Sequence, residues 1–274
     1  MTADETHDEY RARAGINWSR LKLARKSALH YRDTPPRPDT PTLGMLRAVH
    51  SLVLEPEHFD RDYAVWLSPK ARRGKVYDAF REAHAGRTIL STKEHEEVKA
   101  IANAVHCHPF ARRLLSKKEA HAEVVLAWTD ADTGQACKGR ADLVLVFPTH
   151  CWVLDLKTVR SLEPRQMAAD VVRFGYHGQL AHYCAGVSAL YDRPVTRCGL
   201  LCVESAAPHD VGCFWFDQEA RNAGDALRAR LLHVVARAEE TGEYPGQCAK
   251  PVRLSLPPWA IDDAHGDTFT SSET

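Results

Sequence analysis

Asp142 opens the apolar run Leu143–Phe147, Asp155 closes the run Cys151–Leu154, and Lys157 follows two residues later. Both runs are rich in β-branched and aromatic residues, and Pro148-Thr149-His150 parts them as a short turn. The stretch therefore reads as a β-hairpin. Residues i and i+2 of a strand share a face, so Asp155 and Lys157 project together, and the hairpin brings Asp142 alongside Asp155. Two carboxylates and an ammonium at the edge of an apolar sheet make a hard-cation site with a positive neighbour, which hydrolysis of a phosphodiester requires. A lone Asp-x-Lys more often marks solvated strand-end charges. Here it is joined by Gln179 and Tyr183, spaced i and i+4 on one helix face.

The elements that must position these groups can be read outward from the hairpin. Residues 122–129, 138–147, 151–157, 195–204 and 211–217 read as strands, with a turn at Asp130–Gly134. Glu123 then lies on a strand neighbouring Asp142, as a carboxylate that supports the ligands or holds a second metal, or as a strand-end charge. Asn17 or Ser19 caps a helix carrying Trp18 and Leu21, and four prolines between Asp33 and Pro41 make an extended connector. From Thr42 the apolar residues recur at helical spacing, with His50 on or beside the stripe. Residues 55–119 read as mostly helical and hold two basic clusters, Arg72, Arg73 and Lys75, then Arg112, Arg113, Lys117 and Lys118. Such runs are usually solvated faces; on a nucleic-acid partner they are the candidates for phosphate contact. Glu163-Pro164 starts another helix, Gly175 and Gly178 interrupt it, and residues 218–241 form a long amphipathic helix. Short β-branched runs alternating with amphipathic ones predict an α/β domain, a central mixed β-sheet flanked by helices.

The chain has 274 residues, 44% of them hydrophobic and 26% charged, with no formal net charge. Four unopposed carboxylates stand in residues 1–9 and four more in 260–274, so the body between carries an excess of eight positive charges. Residues 1–14 and 260–274 read as poorly ordered acidic ends around a folded body at 15–259. The eight cysteines show no C-x2-C pair and read as reduced thiols. No apolar run approaches membrane-spanning length and no secretory leader is evident, which predicts a cytoplasmic protein without membrane contact.

Asp142-x12-Asp155-x-Lys157 followed by Gln179-x3-Tyr183 resembles the PD-(D/E)xK nuclease superfamily, specifically its RecB-like branch. The stretches at 16–22, 43–59, 138–146, 152–158, 174–184 and 241–246 further resemble, in order, the exodeoxyribonuclease VIII (RecE-type) nuclease domain. The resemblance implies a restriction-endonuclease-like fold and Mg²⁺-dependent 5′→3′ digestion of linear double-stranded DNA, with Mn²⁺ as a substitute. It also implies 3′ tails delivered to a RecT-type annealing protein, and a ring-shaped homo-oligomer. Asp142 and Asp155 would bind the metal together with His50 and the backbone carbonyl of Leu156. Lys157 would orient or deprotonate the water or stabilise charge, and Gln179 and Tyr183 would brace the site or contact DNA. Glycine placement departs from the family's pattern, since Gly44 lies six residues before His50. Iron–sulfur relatives need a cysteine before the histidine helix, and none precedes Cys107. The alternative to an enzyme is a non-catalytic DNA-binding or structural descendant of the fold.

Overall fold

The computed structural model describes residues 7–36, 38, 40–68, 71–258 and 260. In chain order it forms α1 (His7–Ala12), α2 (Trp18–Leu21), α3 (Ala28–Asp33), α4 (Pro41–Leu54), α5 (Phe59–Asp62), β1 (Tyr63–Trp66), α6 (Lys75–Ala83) and β2 (Thr88–Ser91). There follow α7 (Thr92–Cys107), α8 (Pro109–Leu115), β3 (Ala120–Thr129), β4 (Ala136–Val146) and β5 (Cys151–Val159). The chain then runs through α9 (Pro164–Phe174), α10 (Tyr176–Tyr191), β6 (Val195–Glu204), β7 (Val211–Trp215) and α11 (Gln218–Thr241).

The central sheet has the order β3-β4-β5-β6-β7, antiparallel except for the parallel pair β5/β6. A parallel neighbour needs a long crossover, and α9 and α10 supply it. Alternation along the strands sends Leu143, Leu145, Leu154, Leu156, Leu201 and Val203 into a core with α4, α7 and α8. Val144, Val153, Leu200 and Cys202 face the other way, onto Leu180, Tyr183 and Val187 of α10. A third cluster joins Ile16, Trp18 and Leu21 to Leu227, Leu231 and Val235 of α11. The expected α/β architecture is what forms, with helices on both faces of a mixed sheet.

Local chemistry explains the element ends. Asn17 Oδ1 accepts from Arg20 N at 2.8 Å, capping α2. Thr40 caps α4 with Pro41 in its first turn, and Ser91 and Glu94 close a reciprocal capping box on α7. Glu163 caps α9, and Gly175, at φ +76°, ends it so that α10 can start in a new direction.

The structure corrects two expectations and places a helix in a stretch read as poorly ordered. His7–Ala12 forms a helix within the stretch read as poorly ordered; residues 1–6 and 261–274 lie outside the described residues. The segment read as mostly helical carries β1 and β2, a parallel pair from Tyr63↔Thr88 to Trp66↔Ser91. Four-residue strands in helical surroundings leave too little periodic text to register. The last strand stops at Trp215 rather than at residue 217, because Asp217 caps α11. Among the described residues no helix is long and apolar enough to cross a membrane.

Candidate active site

Three neighbouring strands deliver three carboxylates in a row. The β4/β5 register, ending at Leu143↔Leu154, sets Asp142 beside Asp155, and the β3/β4 register sets Glu123 opposite Asp142 between Ala122↔Leu143 and Val124↔Ala141. Glu123 has φ +48°, a left-handed conformation that is uncommon for a residue with a side chain. Strand alternation slips at the same place: Ala141 packs in the α10-side core, yet Leu143, two residues on, packs in the α4-side core. The backbone is locally distorted where the carboxylates gather.

From the other side, α4 brings His50 in. Its Nδ1 lies 3.5 Å from Asp142 Oδ2, and that same oxygen accepts from Leu156 N at 2.7 Å. One ligand atom each from His50, Glu123 and Asp142 falls within 4.8 Å of the others. Asp155 stands outside this trio. It is 1% exposed, its Oδ1 has no hydrogen-bond partner, and its Oδ2 meets Lys157 Nζ in an ion pair. An imidazole, carboxylates and an orphaned buried carboxylate oxygen are a donor set that fits a hard divalent cation.

The proton affinities follow from crowding. Burial, then the Asp142 charge, pushes the Glu123 carboxyl up; burial also raises Asp142. Burial, followed by the influence of Asp142, pushes Asp155 up to about 6 against the pull of Lys157. For Lys157, burial works to lower the ammonium, but Asp155 and Asp142 outweigh it and hold it above the ordinary lysine range. Without a cation Lys157 is therefore a charged group, not a base. Burial and then Lys157 lower His50 to about 4, leaving a neutral imidazole. Excess negative charge beside a neutral ring is what a dication relieves.

Further side chains hold this arrangement in place. Arg140 Nε lies 2.7 Å from Glu123 Oε2 and its Nη2 3.4 Å from Glu55 Oε2, so one guanidinium bridges two carboxylates. Gln179 Nε2 donates to the Tyr183 hydroxyl at 3.0 Å, and the Tyr183 ring lies so close over Gly139 that a Cβ there would come within 3.1 Å of it. Lys157 Nζ lies 5.0 Å from the centroid of the Tyr176 ring. A cavity of about 910 Å³ opens on the site, lined by Tyr10, Trp18, Arg47, His50, Glu55, Arg61, Tyr63, Glu123, Arg140, Asp142 and Tyr183.

Arg140, Glu55, Tyr10, Arg47 and Arg61 escaped the sequence reading. Arg140 was recoverable, since it precedes Asp142 by two residues; the others sit on elements whose approach only packing defines. Neither basic cluster lines the cavity. Arg72 is engaged by Glu94 at 2.7 Å and by the Ile89 carbonyl at 3.0 Å, whereas Arg73, Lys75, Arg112, Arg113 and Lys118 are exposed and Lys117 half-buried.

A family model described as a PDDEXK-like domain of unknown function (DUF3799) matches residues 24–252. The chain belongs to this family. The matched span contains His50, Glu123, Asp142, Asp155, Lys157, Gln179 and Tyr183, so all seven of these residues lie within the PDDEXK-like domain. The crystal structure of a candidate exonuclease from Eubacterium rectale is similar with a TM-score of 0.63 at 12% identity, covering 96% of this chain and 98% of that one. At that identity the likeness bears on the fold. The crystal structure of SSO0001 aligns with 52% of this chain and 68% of its own, at 16% identity and a TM-score of 0.28. No curated protein matches.

Proposed function

We propose that this PDDEXK-like chain is a divalent-metal-dependent deoxyribonuclease. The observation that carries the reading is the convergence, from three separate elements, of His50, Glu123 and Asp142 on one point beside Asp155 and Lys157 of a fourth. A non-catalytic descendant would have no need of a half-buried ammonium paired with a buried carboxylate whose other oxygen has no partner.

His50, Glu123 and Asp142 would hold the cation, with Asp155 and the Leu156 carbonyl completing the set. A bound Mg²⁺, or Mn²⁺ in its place, supplies charge neutralisation at the phosphate and a polarised water. The chain's own groups do the rest. Lys157, charged and fixed by Asp155, stabilises negative charge that builds on the phosphate oxygens during attack. Arg140 orients Glu123 while screening it from Asp142. Tyr183 lines the cavity on the α10 side, and Gln179 holds its hydroxyl. By its RecE-type resemblance, the chain would digest linear duplex from 5′ ends, leave 3′ tails for a RecT-type annealing protein, and work as a ring-shaped homo-oligomer.

The test is digestion of end-labelled linear and circular duplex in Mg²⁺, Mn²⁺, Ca²⁺ or EDTA, with Lys157→Ala alongside. The expected result is Mg²⁺- or Mn²⁺-dependent loss of linear DNA only, release from the 5′ end, and no digestion by the variant. Equal digestion by Lys157→Ala, or none by the wild type in any metal, would overturn the reading.

A further inference from the structure

Away from the cavity, three strands of the sheet place two tryptophans and an arginine in one strip. Trp152 on β5 pairs directly with Arg197 on β6, and Gly199, two residues on, pairs with Trp215 on β7. Alternation puts Trp152, Arg197 and Trp215 on the α4 side of the sheet, and Phe147 joins them just past the end of β4. The Trp152 and Trp215 rings are edge-to-face at 5.7 Å, and Phe147 lies 4.9 Å from Trp152 and stacks on His150 at 4.8 Å. Arg197 is exposed, and its Cζ lies 4.9 Å above Trp152 and 5.9 Å from Trp215. Its guanidinium is thereby held over two indoles, and neither it nor the rings line the catalytic cavity.

Helices cover the rest of this face but leave the strip half-exposed. The charge around it is positive. Glu119 O accepts from Val146 N at 2.9 Å, which brings the Lys117-Lys118 turn to the end of β4, and Arg193 Nη1 donates to the Phe147 carbonyl at 3.0 Å. Glu119 and Asp192 are the carboxylates in these two turns, against Lys117, Lys118, Arg193 and Arg197.

We propose that this strip is a second nucleic-acid site, which binds an unpaired DNA strand by stacking bases on Arg197 and the surrounding rings. Unstacked bases pack on aromatic faces and on guanidinium planes, and flanking cations follow the phosphates. Duplex DNA, whose bases are already stacked, gains only the electrostatic part. Trp152 lies three residues along β5 from Asp155, about 10 Å, on the opposite face of the sheet. The site thus deepens the nuclease reading, on which its biological use rests: it names single-stranded DNA as a ligand held apart from the scissile bond.

The experiment measures anisotropy of a labelled oligo-dT of about 20 nucleotides against the full chain in EDTA, so that cleavage plays no part. Wild type, Arg197→Gln, Arg197→Lys and Trp215→Leu are compared, with thermal melting to show that each is folded. Loss of one stacked base is expected to weaken binding about tenfold in both Arg197 variants and in Trp215→Leu. Lysine keeps the charge but not the plane, so binding by Arg197→Lys equal to wild type would overturn the stacking site in favour of a simple phosphate contact. Absence of oligo-dT binding by the wild type, or equal binding by all variants, would overturn it as well. Inactivity of the wild type on duplex with stacking-dependent oligo-dT binding intact would sink the nuclease reading and leave this site standing.

Discussion

Replacing Asp155 by Asn should make the metal-free protein more stable while abolishing its response to metal. Asp155 is buried beside two other carboxylates, and burial raises its carboxyl from 3.8 to about 6. The unfolded chain releases this proton near pH 4, the folded chain near pH 6. Between those values the native state holds the extra proton, so stability falls as pH rises and the full cost applies above pH 6. A shift of about two units corresponds to ~3 kcal/mol. Asn is neutral at every pH and escapes that cost, so at about pH 8 Asp155→Asn should melt ~6–12 °C above wild type, at ~2–4 °C per kcal/mol for a chain of this size. At about pH 4 the wild-type carboxyl is itself protonated, and the two melting temperatures should converge. With Mg²⁺ at about 100 times its dissociation constant, the wild type should gain ~2.7 kcal/mol and the variant little. Circular-dichroism melts in EDTA and in Mg²⁺ at both pH values read all four cases. A variant that melts below wild type in EDTA at pH 8 would refute the reasoning, because the pair with Lys157 would then outweigh the crowding of carboxylates.

Lys157→Ala leaves every proposed metal ligand in place, Asp155 included, so metal-induced stabilisation should survive while digestion falls by at least about a hundredfold; loss of both would make Lys157 a structural residue. His182 is fully buried, donates to the Lys138 carbonyl, and is lowered by burial from 6.5 to about 4. The unfolded chain therefore takes up the proton first as pH falls, and wild-type stability should drop by ~3 kcal/mol between pH 6.5 and 4; urea midpoints of His182→Gln should lack that part of the slope. A Cβ at Gly178 would lie 2.2 Å from the Trp18 ring, so Gly178→Ala should cost ~1–3 kcal/mol in urea and shift indole fluorescence, whereas an unchanged midpoint would mean that Trp18 moves freely. Arg73 and Lys75 are exposed but Arg72 is held by Glu94, so neutralising all three should lower the salt-dependence slope of duplex binding by about two, not three.

The hairpin and the placement of its charges were legible in the one-dimensional text. Alternation and the Pro148–His150 turn are local, so the register that sets Asp142 beside Asp155, and the shared face of Asp155 and Lys157, follow from spacing alone. The helix pair around Gly175 and the long α11 were equally readable, because caps, glycines and helical period are short-range signals. His50 and Glu123 could be named but not placed. Their meeting with Asp142 depends on α4 lying across the sheet and on a left-handed residue in the middle of β3, and a glutamate advertises neither. Arg140's bridge to Glu55, the engagement of Arg72 by Glu94, and the stack of Arg197 on two tryptophans join residues 85, 22 and 18 or more positions apart. Separations of that kind are set by packing, since burial of apolar faces decides which elements touch and the polar groups then pair with whatever the packing brings near. Sequence thus determined which groups could do chemistry, and tertiary structure decided which of them stand together.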